Sequence, residues 1–297
     1  MYRTSVIAFL TFREAVVQPI FSLLLALGVA ILLIFGVLPF FTLGEDTTMY
    51  KSVGLDVVLL FVLIATLFAT SKSIFDEIED RTMLTLMSKP VKKWEVIVGK
   101  YLGIILSAAL AVAVLGATLI VCTCFRIPND YQLQANALDD RILNQISDWR
   151  WMHSYGLVPS LILVWLQVSV LAAISVALST RFSLVVNLPA IILLYIAGNL
   201  TRFLYPLDAR SWGVRIFGGV ASTMLPFLQI FDFRSQAIYR EVAVPNTGFA
   251  HAPGAILPGF LWKYVAVATL YAVAYATFAL GSGLFLFQTR ELGGAEG

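Results

Sequence analysis

Six stretches of this chain are apolar for long enough to cross a bilayer, and polar residues gather in the connections between them. Residues 16–41, 55–74, 101–125, 157–180, 184–205 and 264–289 each read as one span. About 20 residues rising 1.5 Å each cover the roughly 30 Å of hydrocarbon, so each run has the needed length. Helices are required, because lipid offers no partner to an open backbone donor or acceptor. Pro19 and Pro39 fall near the two ends of the first span, where a lost helix hydrogen bond matters least. The pattern predicts an all-α integral membrane protein forming a single transmembrane unit over residues 1–297. It has six transmembrane helices, an inner connector at 75–100 and outer loops at 42–54, 126–156 and 206–263.

Composition agrees with that class. The chain is 59% hydrophobic, only 13% charged and has a mean hydropathy of +0.86, whereas soluble domains carry about 25% charged residues. A net charge of +2 without a long basic tract gives no footing for nucleic acid. The first long apolar run continues to Phe41, far beyond the short core of a cleavable signal, so the first span is expected to be retained. An even number of crossings places both termini on one side. Arg3, Arg13, Lys72, Arg81, Lys89, Lys92, Lys93, Lys100, Arg181 and Arg290 share that side, six of them clustered between Lys72 and Lys100. Clustered basic residues close to helix ends point to the cytoplasm. The expected location is therefore the inner or plasma membrane, multi-pass, with both termini cytoplasmic.

Two outer regions depart from simple loops. Trp149, Trp151 and Tyr155 approach the return to the bilayer and suit interfacial anchoring. Further on, TMLPFLQIFDF suggests a shallow re-entrant element, partly membrane-associated, before the last span.

The inner connector DEIEDRTMLTLMSKPVKKWEVIVGK is the densest polar run in the chain. Ile74, Phe75 and Ile78 share a helical face, and Glu77 and Arg81 are spaced as a favourable i,i+4 pair. Thr82 is placed to open a short helix containing Leu84 and Leu86, running toward Ser88 and interrupted by Pro90. Lys92, Lys93, Trp94 and Lys100 are expected at the membrane surface, and Gly99 and Gly103 form a GxxxG that permits close helix approach. The segment is an elbow: an acidic turn, a short apolar-faced helix, then a basic return. Two readings stay open from these residues, a solvated connector that merely orients two helices or a docking element for a cytoplasmic partner.

A family resemblance bears on that choice. The run Glu77-Ile78-Glu79-Asp80-Arg81-Thr82, then Leu86, Lys89-Pro90-Val91, Trp94-Glu95-Val96 and Gly99-Lys100-Tyr101-Leu102-Gly103, resembles the inner loop of ABC-2 class permease subunits of ATP-binding-cassette transporters. The ending Leu286-Phe287-Gln288-Thr289-Arg290-Glu291-Leu292, and Leu225-Pro226-Phe227 through Phe231-Asp232, are similar as well. The chain departs from the family's pattern at Thr82-Met83, where Leu often follows Thr directly, and at Gln288-Thr289, where basic residues are common.

The resemblance implies a coupling helix around Thr82 to Ser88 that docks on a cytoplasmic ABC ATPase. Glu77, Glu79 and Arg81 would fix the elbow or pair with that partner. It also implies a second permease copy or related permease, membrane lipids around both, and ATP with Mg on the partner alone. The chain has no GxxxxGK[ST] loop of its own, so no cofactor and no ATPase activity are expected on it.

Other chemistries find little footing. His153 and His251 are assigned to outer loops as ordinary polar residues, and no HExxH occurs. Cys122 and Cys124 are too close for a CxxC pair, so neither metal nor redox work is expected of them. The centres of the six spans lack ionisable residues, which disfavours an ion-driven carrier. Gln167, Asn187 and Asn199 are the candidate polar residues of a pathway, with helix–helix hydrogen bonding the alternative for each. The expected function is a permease subunit driven by a separate ATPase. The different-class alternative is a non-transporting scaffold or assembly protein that recruits a cytoplasmic partner.

Overall fold

The computed structural model describes residues 2–38, 46–80, 92–130, 140–200, 212, 225–238, 242–244, 247 and 255–288. Among the described residues, seven helices carry the fold: α1 Tyr2–Val17, α2 Pro19–Val37, α3 Asp46–Glu79, α4 Lys93–Asp130, α5 Asp140–Ser179, α6 Leu184–Asn199 and α7 Pro258–Gln288. The result is an all-α, multi-span, membrane-embedded bundle. Five helices (α2, α3, α4, α5 and α7) are long and apolar enough to cross.

The fifth predicted span, 184–205, is realised as a helix of 16 residues. At 1.5 Å per residue that is roughly 24 Å, short of the hydrocarbon thickness. Its remaining residues, 201–205, lie outside the described part of the chain.

Helix boundaries differ from the apolar runs in one direction. α3 begins at Asp46 rather than Leu55, α4 at Lys93 rather than Tyr101, and α5 at Asp140 rather than Leu157. Lys51, Lys100 and His153 in these added turns have partners on neighbouring helices, so the helix does not stop where hydropathy falls. The first run is broken instead: Val16 and Val17 finish α1, Gln18 is extended, and Pro19 opens α2. Proline suits a first helical position because its missing N–H would be unsatisfied there anyway.

α5 is the central rod, with 78% of its apolar window buried, and α3 follows with 67%; α2, at 17%, is peripheral. α4 and α7 flank α5, and α2 packs on α3 and α4. Leu55, Val58, Val62, Leu115, Leu119, Leu157, Leu163 and Leu171 form the main core. A second apolar cluster at the opposite end joins Ile74 and Ile78 to Val96, Ile97, Val176 and Phe287.

α1 crosses nothing. It lies against α4 and turns Ala8, Thr11 and Ala15 inward, while Tyr2, Phe9 and Leu10 remain exposed. A short helix with an exposed apolar face is built to lie in the interface plane.

The end away from the termini is closed by the segment before α7. A 3-10 turn at Leu228–Phe231 and a helical turn at Arg234–Ala237 bury Leu228, Phe231, Phe233 and Ala237 against the bundle. Gly156 of α5 makes this possible, because a Cβ there would collide with the Ala237 carbonyl oxygen. Phe233 stacks on Tyr264 with ring centroids 4.0 Å apart.

Candidate functional site

The corner where α3 ends and α4 begins gathers the charged residues that the apolar spans exclude. Over Ser71–Asp76 the backbone of α3 widens into a π-helix. Such turns are rare, are often found at functional positions, and shift the helical register of the residues beyond them. Downstream, Glu77 faces α4 and its carboxylate lies 2.6 Å from Lys100 Nζ. Lys100 also donates to the Ser73 backbone carbonyl and, at 3.2 Å, to Ser73 Oγ.

The Lys100 side chain is only 4% exposed and that of Glu77 29%. Sequence reasoning put Lys100 at the membrane surface; the structure puts it in the interior. A buried ammonium is tolerated only when paired and hydrogen-bonded, and this one is both.

α1 completes the corner. Burial raises the Glu14 carboxyl above its ordinary range, and Glu77 adds to that; Lys100 and Lys72 pull it back. Glu14, Lys72, Glu77 and Lys100 thus sense one another across three helices. The docking of α1 on α4 relies on the GxxxG pair. A Cβ at Gly99 would sit 2.9 Å from Ile7 Cβ, and one at Gly103 2.5 Å from the Ala8 carbonyl oxygen and 2.6 Å from Thr11 Cβ. The small residues of this motif therefore admit the N-terminal helix.

The start of α4 is locally self-capped. Glu95, three residues along, accepts the Lys92 backbone N–H at 2.9 Å, the returning half of a capping box. Lys92 and Trp94 are exposed. Lys93 instead places its ammonium 5.3 Å from the Phe287 ring centroid, tying α4 to the end of α7. Glu79 is exposed. Arg81, Thr82, Leu84, Leu86, Ser88 and Pro90, and with them the expected coupling helix, lie outside the described residues.

The three candidate pathway residues are not brought together. Asn187 is fully buried and donates from Nδ2 to Ser175 Oγ and Ser179 Oγ, both at 2.8 Å, fastening α6 to α5. Asn199, at the other end of α6, donates to the Tyr195 carbonyl of its own helix, and its own carbonyl accepts from Gln229. Gln167 is buried on α5. For Asn187 the helix–helix bond is the geometry realised.

The far end of the bundle holds a second set of ionic contacts that sequence reasoning missed. His153 is not a loop residue: it sits on α5, 4% exposed, with Nδ1 2.8 Å from Lys51 Nζ of α3. Lys51 also donates to the Ile238 carbonyl, and Trp149 stacks on His153. Asp56 holds Arg234 through both carboxylate oxygens, at 2.5 and 2.8 Å. Arg126 donates to the carbonyls of Phe35, Gly36 and Leu38 at 2.9–3.2 Å, so a cation caps the negative end of α2.

These partners lie far apart in sequence, and only the unusual polar residues within helical runs could have signalled them. Cys122 and Cys124 are free thiols on α4. Among the described residues no three His, Cys, Asp or Glu side chains are grouped to hold a metal ion.

Compared with protein families, the chain matches the family described as ABC-2 family transporter protein over residues 5–292. A comparison with curated proteins gives no match.

Proposed function

The chain belongs to the ABC-2 family of transporter proteins, and on that premise we propose that it is the membrane-spanning permease subunit of an ATP-driven transporter, coupled to a separate cytoplasmic ATPase. As a member of the family it is a multi-pass transport component rather than an enzyme. In this reading α6 and the residues after it supply a sixth crossing, and both termini face the cytoplasm. The coupling helix lies around Thr82 to Ser88. Two permease copies and two ATPases make the working assembly, with ATP and Mg held by the ATPases.

The observation that carries the reading is the Glu77–Lys100 pair. It sits at the root of the connector and locks the end of α3 to the start of α4. Any push on residues 81–91 reaches both helices through that pair, and reaches α1 through Gly99 and Gly103. The adjoining π-helical segment offers a place where α3 can change register. Chemical energy spent on a partner is thereby converted into a tilt of two spans at once.

Affinity purification in mild detergent tests this. An ATPase with Walker motifs is expected to copurify, and the isolated chain is expected to hydrolyse no ATP. The double change Glu77→Ala, Glu79→Ala is expected to lower the partner's turnover in correctly inserted complexes. Copurification of a cytoplasmic protein without nucleotide-binding motifs would instead mark the chain as a scaffold.

A further inference from the structure

A cleft of about 370 Å³ opens where α1 breaks into α2, beside the π-helical part of α3 and the first residue of α6. It contains two polar groups that the fold leaves unused. Gln18 is 6% exposed and Ser71 2% exposed, yet Gln18 Nε2 and Ser71 Oγ have no hydrogen-bond partner among the described residues. Buried donors in native proteins are almost always satisfied, so an unused pair lining one cavity points to an occupant. An amide nitrogen only donates, so the occupant presents acceptor oxygens.

The charges around the cleft narrow its chemistry. Lys72 stands at the rim, and the amino-terminal ends of α2 and α6 both reach the cleft, through Pro19 and Leu184. Two helix N-termini and an ammonium favour a phosphate. Asp76, one helical turn beyond Lys72, lines the same cavity. A bare phosphate would be repelled by that carboxylate, whereas a group joining a phosphate to a primary ammonium satisfies both.

Position supplies the remainder. The cleft lies at the start of one candidate span and near the end of another, which is headgroup depth. Ile20, Phe68 and Leu184 give it apolar walls on which acyl chains can continue.

We propose that this cleft binds the headgroup of a zwitterionic phospholipid bearing a primary amine, on the membrane face that carries the N terminus. The phosphate meets Gln18 Nε2, Ser71 Oγ and Lys72, and the ammonium meets Asp76. The site requires only the membrane placement of the chain and is independent of any ATPase.

The test is native mass spectrometry of the full chain, purified without partner and titrated with short-chain phosphatidylethanolamine, phosphatidylcholine, phosphatidylglycerol or inorganic phosphate. Retention of phosphatidylethanolamine about tenfold above the other lipids is expected, the worth of one charge-assisted hydrogen bond. Lys72→Gln and Gln18→Leu should each weaken it severalfold, and Asp76→Asn should abolish the preference over phosphatidylcholine. Lys72 and Asp76 are exposed at the rim, so their variants are expected to fold even where Gln18→Leu does not. Equal retention of the three lipids, saturation by phosphate alone, or a preference unchanged in Asp76→Asn would overturn the assignment.

Discussion

Removing the Glu77 carboxylate strands an ammonium that is almost wholly out of water. The Lys100 side chain is 4% exposed and, once Glu77 is gone, keeps its hydrogen bonds to Ser73 and the more distant charge of Glu14. Breaking a fully buried pair costs about 3–5 kcal/mol. Glu77 is partly solvated and the Ser73 contacts persist, so Glu77→Ala is expected to cost about 2 kcal/mol, nearer the value of one charged hydrogen bond. For a chain of 297 residues that corresponds to a fall of about 3 °C in apparent Tm.

Lys100→Met leaves a carboxylate that can hydrate and should cost about half as much. The double variant Glu77→Leu, Lys100→Met replaces the pair by apolar groups and should return to within about 1 kcal/mol of the parent. The assay is thermal unfolding of the detergent-solubilised chain, with Glu77→Leu as the matching single change so that the double-mutant cycle closes. Strict additivity of the two single effects, or a Glu77→Ala variant melting with the parent, would refute the buried-pair reasoning.

Three further outcomes rest on other contacts. Gly103→Leu should expel α1 from α4, because even a Cβ there lies 2.5 Å from the Ala8 carbonyl oxygen; limited proteolysis within α1 is then expected to run faster than in the parent. Arg126→Met removes the cation that caps α2 through three carbonyls and should lower stability by about 1–2 kcal/mol, read by the same thermal assay. Glu14 has its folded pKa raised above the ordinary 4.5, so its contribution is complete below that value and is lost as pH rises through the raised one. Glu14→Gln should therefore flatten the decline of Tm with rising pH, and a steeper decline would show that Lys100's attraction outweighs burial.

Hydropathy made the five long helices legible, because a long run with few or no charges has no alternative to burial or lipid. It did not locate their ends. Lys51, Asp56 and Arg126 look like loop or boundary residues in the sequence, yet each sits within a helix and has partners on other elements. His153 lies 102 residues from Lys51, and Arg234 lies 178 from Asp56, so no local pattern announces either pair.

α1 was hidden for a different reason. Its packed face consists of Ala8, Thr11 and Ala15, small residues whose value comes from close approach rather than from apolar bulk. At the corner, Glu77, Gly99, Lys100 and Gly103 were all visible as motif residues. What the sequence concealed was that Lys100 belongs to Glu77, because a basic residue beside a span ordinarily reads as a surface anchor.

The most direct test of the central claim is ATP turnover by the complex of this chain with its copurifying ATPase, carrying Glu77→Leu with Lys100→Met. That variant keeps the corner folded while removing its ionic lock. Coupling through the lock predicts an assembled, thermally stable complex whose turnover falls to that of the ATPase alone. Full parental turnover in the same stable complex would contradict it.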